Sequence, residues 1–112
     1  MTQNTTLPNV ATQGLLILIV PPDLEETLVD VLLQQTAISG FTTSNVSGHG
    51  SSHGEGTVKL SIVEQVTGRQ QRVQFMMHAA LGDLQNLVAS FKARFKNTDI
   101  HYILMPIAEM PM

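Results

Sequence analysis

Six consecutive aliphatic residues, Leu15 to Val20, constrain the fold of this chain more than any other segment. Gly14 precedes this run, and Pro21-Pro22 ends it. A short apolar run between residues that break regular structure is typical of a β-strand that is buried on both faces. We therefore expect a central strand in a sheet whose first face is covered by helices and whose second face is covered by other protein.

Helical and strand periodicities alternate along the rest of the chain. Asp23, followed by Glu26 three residues later, forms a capping-box pattern that predicts a helix running to about Thr36. An apolar stripe at helical spacing predicts a second helix from about Asp83 to Phe95. Alternating or β-branched composition predicts strands over residues 41–47, 58–62, 73–77 and 99–105.

The order of these elements indicates the fold class. A turn at Thr67–Gln70 makes 58–62 and 73–77 a predicted hairpin, and Pro106 is expected to stop the last strand. Strand, helix, strand, strand, helix, strand is the α+β, ferredoxin-like β-α-β-β-α-β order. We expect one domain over residues 14–109, a disordered N-terminal arm over the polar residues 1–13, and a short tail over 110–112.

Composition excludes several classes of function. The 112 residues include six Lys and Arg against nine Asp and Glu, which provides no basic field for nucleic acid. There are no cysteines, so disulfides and thiolate catalysis are excluded. The apolar run is too short to insert into a membrane, and we expect a cytoplasmic protein. Charged residues are only 13% of the chain, which favours a subunit interface on the uncharged surface.

The segment Gly40-Phe41-Thr42-Thr43-Ser44-Asn45-Val46-Ser47-Gly48-His49-Gly50 resembles the PII signalling proteins. In that family a similar glycine-spaced pattern forms the second strand and opens the long T-loop. The order of elements extends the resemblance over residues 14–109. Within the PII superfamily, the chain most resembles a small PII-like family that is often encoded beside heavy-metal efflux pumps. The resemblance implies a PII-like fold, a homotrimer and a regulatory task carried out through the T-loop.

Several residues depart from the PII pattern. The only tyrosine is Tyr102, in the predicted last strand, so the T-loop tyrosine that PII proteins modify is absent. The connection Lys96–Asp99 has no glycine, and the C-terminal arginines that hold ATP in PII proteins are missing. Arg72 stands near the position of a phosphate-contacting PII lysine. The resemblance therefore makes Gly48, Gly50 and Arg72 candidate ligand-binding residues, with nucleotide binding expected to be weak or absent.

His49 and His53, with Glu55 nearby, form a candidate site for a divalent transition metal in a glycine-rich loop over residues 48–56. Imidazole and carboxylate ligands suit zinc, nickel or copper(II). The alternative is that two histidines stand by chance in a solvated loop that is mobile because of its glycines. His78 and His101 form a second histidine pair, provided that adjacent strands bring them together.

The sequence as a whole favours a PII-like regulatory or sensor subunit, linked to heavy-metal response or efflux. Its expected partners are two further copies of itself and a protein such as a metal efflux pump component. A nucleotide-binding PII-like signal protein is one alternative, and a small ferredoxin-like enzyme is another. No serine stands at a recognisable spacing from a histidine and a carboxylate, so we do not expect an enzyme.

Overall fold

The computed structural model describes residues 12–50 and 68–108 of the chain. These residues form, in chain order, strand β1 (Gln13–Val20), a 3-10 turn (Pro22–Leu24), helix α1 (Glu25–Leu33), strand β2 (Thr42–His49), strand β3 (Arg69–Ala80), helix α2 (Leu81–Arg94) and strand β4 (His101–Ile107). The four strands make one antiparallel sheet in the order β2-β3-β1-β4. The predicted α+β class is confirmed, and the predicted strand at 58–62 lies outside the described residues.

Both helices pack against the same face of the sheet. Strand β1 directs Leu16, Leu18 and Val20 into this layer, and all three are fully buried. Helix α1 contributes Leu28, Val31 and Leu32, and helix α2 contributes Leu84, Leu87 and Phe91. The apolar stripes at helical spacing therefore mark the faces of the two helices that form the core, as predicted.

The other face of β1 lacks comparable cover. Leu15, Ile17 and Ile19 are only half-buried, whereas the residues between them are buried. The sequence predicted burial on both faces, but the described residues cover the helix side alone.

Gly14 lies where helix α2 approaches strand β1 closely. A Cβ atom at this position would lie 2.8 Å from Leu81 Cδ1 and 3.3 Å from the carbonyl oxygen of Met105. Glycine is suited to a strand position where another segment comes this close. Its missing side chain allows the start of α2 to rest on the sheet.

The predicted capping box is wrong. The residues around Asp23 form a 3-10 turn in which the Leu24 amide donates to the Pro21 carbonyl, 3.1 Å away. No side chain caps this turn or the start of α1. A capping box would need Asp23 at the N-cap, with its carboxylate accepting from the Glu26 amide, but Asp23 lies inside the 3-10 turn, where the Glu25 amide already donates to the Pro22 carbonyl. Helix α1 also ends at Leu33, three residues earlier than predicted, and α2 begins at Leu81, two residues earlier.

Two predicted strand boundaries are also wrong. Pro106 lies inside β4, opposite Gly14, and does not end the strand. Among the described strands, β4 is at the edge of the sheet, where a residue without an N–H is tolerated. Gly48 and His49, predicted as the first loop residues, belong to β2 and pair with Gln70 and Arg69. The described part of the predicted loop is therefore Gly50 alone.

None of the helices in the described ranges is long and apolar enough to cross a membrane.

Candidate functional site

The face of the sheet opposite the helices, here called the open face, carries the largest group of accessible apolar side chains among the described residues. Strand side chains alternate between the two faces, so the pairing register assigns each residue to one of them. The open face consists of Gln13, Leu15, Ile17 and Ile19 of β1; Thr42, Ser44, Val46 and Gly48 of β2; Gln70, Arg72, Gln74, Met76, His78 and Ala80 of β3; and His101, Ile103, Met105 and Ile107 of β4.

An apolar centre occupies the middle of the open face. Ile17 pairs with Met76 on one side and with Ile103 on the other. Met76 is 39% exposed, Ile103 43% and Met105 40%. With Leu15, Ile17 and Ile19 these side chains form a continuous apolar surface across three strands. A surface of this kind is the usual sign of a contact with other protein.

A charged cluster lies at the end of the open face where β1 stops. Arg72 donates from Nη2 to Asp99 Oδ2 at 3.1 Å and to Gln70 Oε1 at 2.7 Å. Its Nη1 donates to the Gln71 carbonyl at 2.8 Å. The Arg72 side chain is only 5% exposed and that of Asp99 16%. The arginine is therefore a buried cation whose charge is balanced inside the same chain.

Sheet topology explains how two residues 27 positions apart meet. Strand β1 ends at Val20, opposite Val73, so Arg72 lies just beyond the last pair of the β1–β3 ladder. Asp99 comes two residues before β4, which flanks the other side of β1. The long guanidinium side chain spans the end of the central strand, and the ion pair links β3 to the segment that leads into β4.

His101 lies beside the same carboxylate. Its Nε2 is 3.6 Å from Asp99 Oδ1, and the side chain is 47% exposed. The imidazole forms an ion pair with Asp99 when it is protonated. A positive charge on His101 therefore has a carboxylate partner within the chain.

The structure brings together two of the three predicted ligand-binding residues. Gly48 of β2 lies beside Arg72, and a Cβ atom at Gly48 would be 3.8 Å from Arg72 Cγ. Gly50 follows the end of β2 and has a φ of 115°, in the region that favours glycine. The guanidinium of Arg72, however, is already bound by Asp99, Gln70 and a backbone carbonyl.

The predicted metal site falls mostly outside the described residues. His49 is exposed in β2, opposite Arg69, whereas His53 and Glu55 lie outside the described ranges. Within residues 12–50 and 68–108, no three histidine, aspartate or glutamate side chains are grouped as metal ligands. The site at His49, His53 and Glu55 stays a prediction.

The second histidine pair is not formed. His78 and His101 lie on the same face, but β1 separates their strands, and His78 pairs with Leu15 whereas His101 pairs with Ile19. Four residues along a strand and two strand spacings put them roughly 16 Å apart. The hypothesis that adjacent strands bring these side chains together is wrong.

Tyr102 is in β4, as the sequence predicted for the only tyrosine of the chain. Its side chain faces the helices, where Lys92 Nζ lies 5.5 Å from the ring centroid. Burial raises the pKa of the Tyr102 hydroxyl. The residue is part of the packing between α2 and the sheet.

Asp99 is the site residue that sequence reasoning missed. It stood in the short connection before the last strand, where a lone acid suggests only a solvated turn. No local pattern links it to Arg72, because their contact depends on the order of the strands. One signal could have found it. An arginine on a strand needs an acidic partner if its charge is buried, so an acid near a neighbouring strand was a candidate.

The fold is similar to those of several solved structures, one of which is a PII-like protein. A crystal structure of a DUF3240 family protein from Shewanella baltica OS155 has a TM-score of 0.69 at 21% identity, covering 92% of this chain and 98% of that one. CPII, a nitrogen regulatory PII-like protein from Thiomonas intermedia K12 bound to ADP, AMP and bicarbonate, has a TM-score of 0.63 at 18% identity, covering 89% and 96%.

A third similar structure is that of a functionally unknown protein from Pediococcus pentosaceus ATCC 25745, with a TM-score of 0.57 at 11% identity over 92% of this chain and 99% of that one. No curated protein matches the chain. The profile of the DUF3240 family, whose description is "protein of unknown function", matches residues 10–111. This match spans almost the whole sequence, and the chain therefore belongs to the DUF3240 family.

Proposed function

We propose that this chain is a PII-like regulatory subunit, not an enzyme, and that it works as a homotrimer assembled through the open face of its sheet. The observation that carries the proposal is the apolar centre on a sheet face that the helices leave uncovered. The likeness of the fold to CPII, a nitrogen regulatory PII-like protein, supports the regulatory class. Cytoplasmic location is part of the same proposal.

The charge distribution of the open face suits a second copy of the same chain. Arg72 and Asp99 neutralise each other at one end of the face. The remaining described side chains of the face are apolar, uncharged polar or histidine. Identical surfaces that each carry an unbalanced charge repel each other. The open face carries no such charge, so copies of it can pack together without electrostatic repulsion. Self-association also helps a chain of 112 residues to bury more apolar area.

The substitution Ile103→Lys tests this interface. Ile103 is 43% exposed in the middle of the open face, so a lysine there would be buried without a partner on assembly. An uncompensated charge of this kind costs about 3 kcal/mol in each subunit, which weakens association about 100-fold for every lysine that is buried. We expect the parent to be a trimer by light scattering at about 10 µM and Ile103→Lys to be a folded monomer.

Leu33→Lys is the matched control. Leu33 is another accessible aliphatic residue, 70% exposed at the end of α1 on the opposite side of the molecule. A lysine at that helix end is also favoured by the helix dipole. We expect this variant to remain trimeric. A monomeric parent protein, or equal dissociation of the two variants, would contradict the proposal.

Nucleotide binding is the second candidate function, because the similar protein CPII was solved with ADP and AMP. In this chain a phosphate that approached Arg72 would have to compete with Asp99, 3.1 Å from the guanidinium. We therefore expect calorimetric titration with ADP or ATP to show no micromolar binding. Asp99→Asn should strengthen the interaction, since it removes the competing charge, whereas Asp30→Asn on helix α1 should not. Micromolar affinity in the parent protein would refute the expectation.

The link to heavy metals is a separate proposal that rests on His49, His53 and Glu55 and on the family resemblance. The proposed partner is a component of a metal efflux pump. A titration with zinc or copper(II), repeated on a variant with both histidines changed to alanine, decides whether the parent binds through these residues. Equal binding by the parent and the variant would exclude them.

A further inference from the structure

His78 is the histidine that lies within the apolar part of the open face. It is exposed on β3, directly opposite Leu15, and Met105 lies on the far side of Leu15. Its neighbours along β3 on the same face are Met76 and Ala80. A cross-strand pair has Cβ atoms about 5 Å apart, so the imidazole lies against aliphatic side chains.

The described residues of the face offer His78 no acidic partner. Strand β1 contributes only apolar residues and Gln13, and β2 contributes Thr42, Ser44 and Val46. On β3 the other charged residue of this face is Arg72, six residues away near the opposite end and paired with Asp99. On β4 the titratable residue of this face is His101, which lies roughly 16 Å from His78. A proton taken up by His78 therefore has no compensating charge in this part of the structure.

We propose that protonation of His78 controls assembly through the open face, so that the oligomer dissociates as the pH falls through the histidine range. This inference rests on the proposed assembly of copies through that face. A second copy that covers the apolar centre also removes His78 from water. The neutral ring can be covered at little cost, whereas a protonated ring without a partner is costly to bury.

The direction of the effect follows from where the proton binds. In the separate chain the His78 ring is exposed to water, which can solvate a positive charge, whereas in the proposed assembly a charged ring would be buried without a counter-charge. Proton uptake therefore favours the separate chain, and association is complete at alkaline pH and lost as the pH falls. His101 differs, since its ring lies 3.6 Å from the Asp99 carboxylate, which it shares with Arg72, whereas His78 has no acid beside it on the described part of the face. His78, and not His101, is expected to carry the pH dependence.

The size of the effect follows from the number of protons taken up on dissociation. Each proton that the separate chain binds and the assembled form does not lowers the association constant by up to about 10-fold per pH unit. For three subunits, with one histidine each, the product is up to about 1,000-fold per pH unit.

Sedimentation velocity at about pH 8 and about pH 5.5 tests the proposal on the parent, His78→Gln and His101→Gln. We expect the parent and His101→Gln to be assembled at the higher pH and to dissociate at the lower one. His78→Gln should stay assembled at both, because glutamine does not titrate. The two variants lose the same charge, so an effect of net charge near the isoelectric point of about 5.7 would appear equally in both.

The outcomes separate the two proposals. A parent that is assembled at both pH values, or a His78→Gln variant that still dissociates on acidification, overturns the role of His78 and leaves the open-face assembly standing. A parent that is monomeric at the higher pH overturns the proposed assembly itself. If His78→Gln fails to assemble at the higher pH, His78→Leu replaces it, and dissociation of that variant at the lower pH would equally refute the inference.

Discussion

Replacing Asp99 with alanine should destabilise the fold by about 3 kcal/mol, because it leaves the guanidinium of Arg72 buried without a counter-charge. Arg72 is only 5% exposed, and Asp99 is the acid that contacts it. The remaining acceptors, Gln70 Oε1 and the Gln71 carbonyl, carry no charge. Urea unfolding, followed by circular dichroism at a fixed protein concentration, measures the difference.

A double substitution separates loss of the ion pair from loss of packing. Arg72→Met with Asp99→Ala removes both charges and should recover most of the stability, since replacing a whole buried pair by apolar groups is often close to neutral. Asp30→Ala is the matched control, because Asp30 is an exposed acid on α1 and should change stability by less than about 0.5 kcal/mol. An Asp99→Ala protein with the urea midpoint of the parent would contradict the assignment.

Replacing Phe75 with alanine should cost about 4 kcal/mol, because it removes a large aromatic side chain from the core. Phe75 is fully buried in β3, between Leu18 of β1 and Thr43 of β2, and faces the helices. Its ring centroid lies 5.9 Å from that of Phe41. Alanine would leave a cavity at the centre of the only hydrophobic core formed by the described residues.

Gln74→Ala provides the comparison for Phe75→Ala. Gln74 is the preceding residue of the same strand but lies on the open face, and we expect its loss to change stability by less than about 0.5 kcal/mol. The urea midpoint should therefore fall steeply for Phe75→Ala and hardly at all for Gln74→Ala. Similar midpoints for the two variants would show that the two faces of β3 are not packed as described.

The sequence alone was sufficient for the elements that depend on local periodicity. An apolar stripe every three or four residues marked both helices, and the run Leu15–Val20 marked the central strand, because side chains repeat along a helix or strand at a constant interval. The resemblance around Gly40–Gly50 correctly pointed to a PII-like fold. The expectation that other protein covers the second face of β1 came from the unbroken apolar run and stays a prediction.

The ends of the elements depended on packing and on position in the sheet. Pro106 continues β4 because that strand is at an edge, and the missing N–H does not break the ladder. The capping box at Asp23 was not formed, since Asp23 lies inside a 3-10 turn and not at the N-cap of α1. Neither outcome can be predicted from the residues next to Pro106 or Asp23 in the sequence.

Only the tertiary structure decided the candidate site. Arg72 was recognised as a basic residue on a strand, but its partner Asp99 is 27 residues away and meets it because β3 and β4 flank the same central strand. The same strand order keeps His78 and His101 apart and leaves His78 among apolar neighbours. A sequence determines which side chains alternate along each strand, whereas the order and register of the strands determine which charges become neighbours.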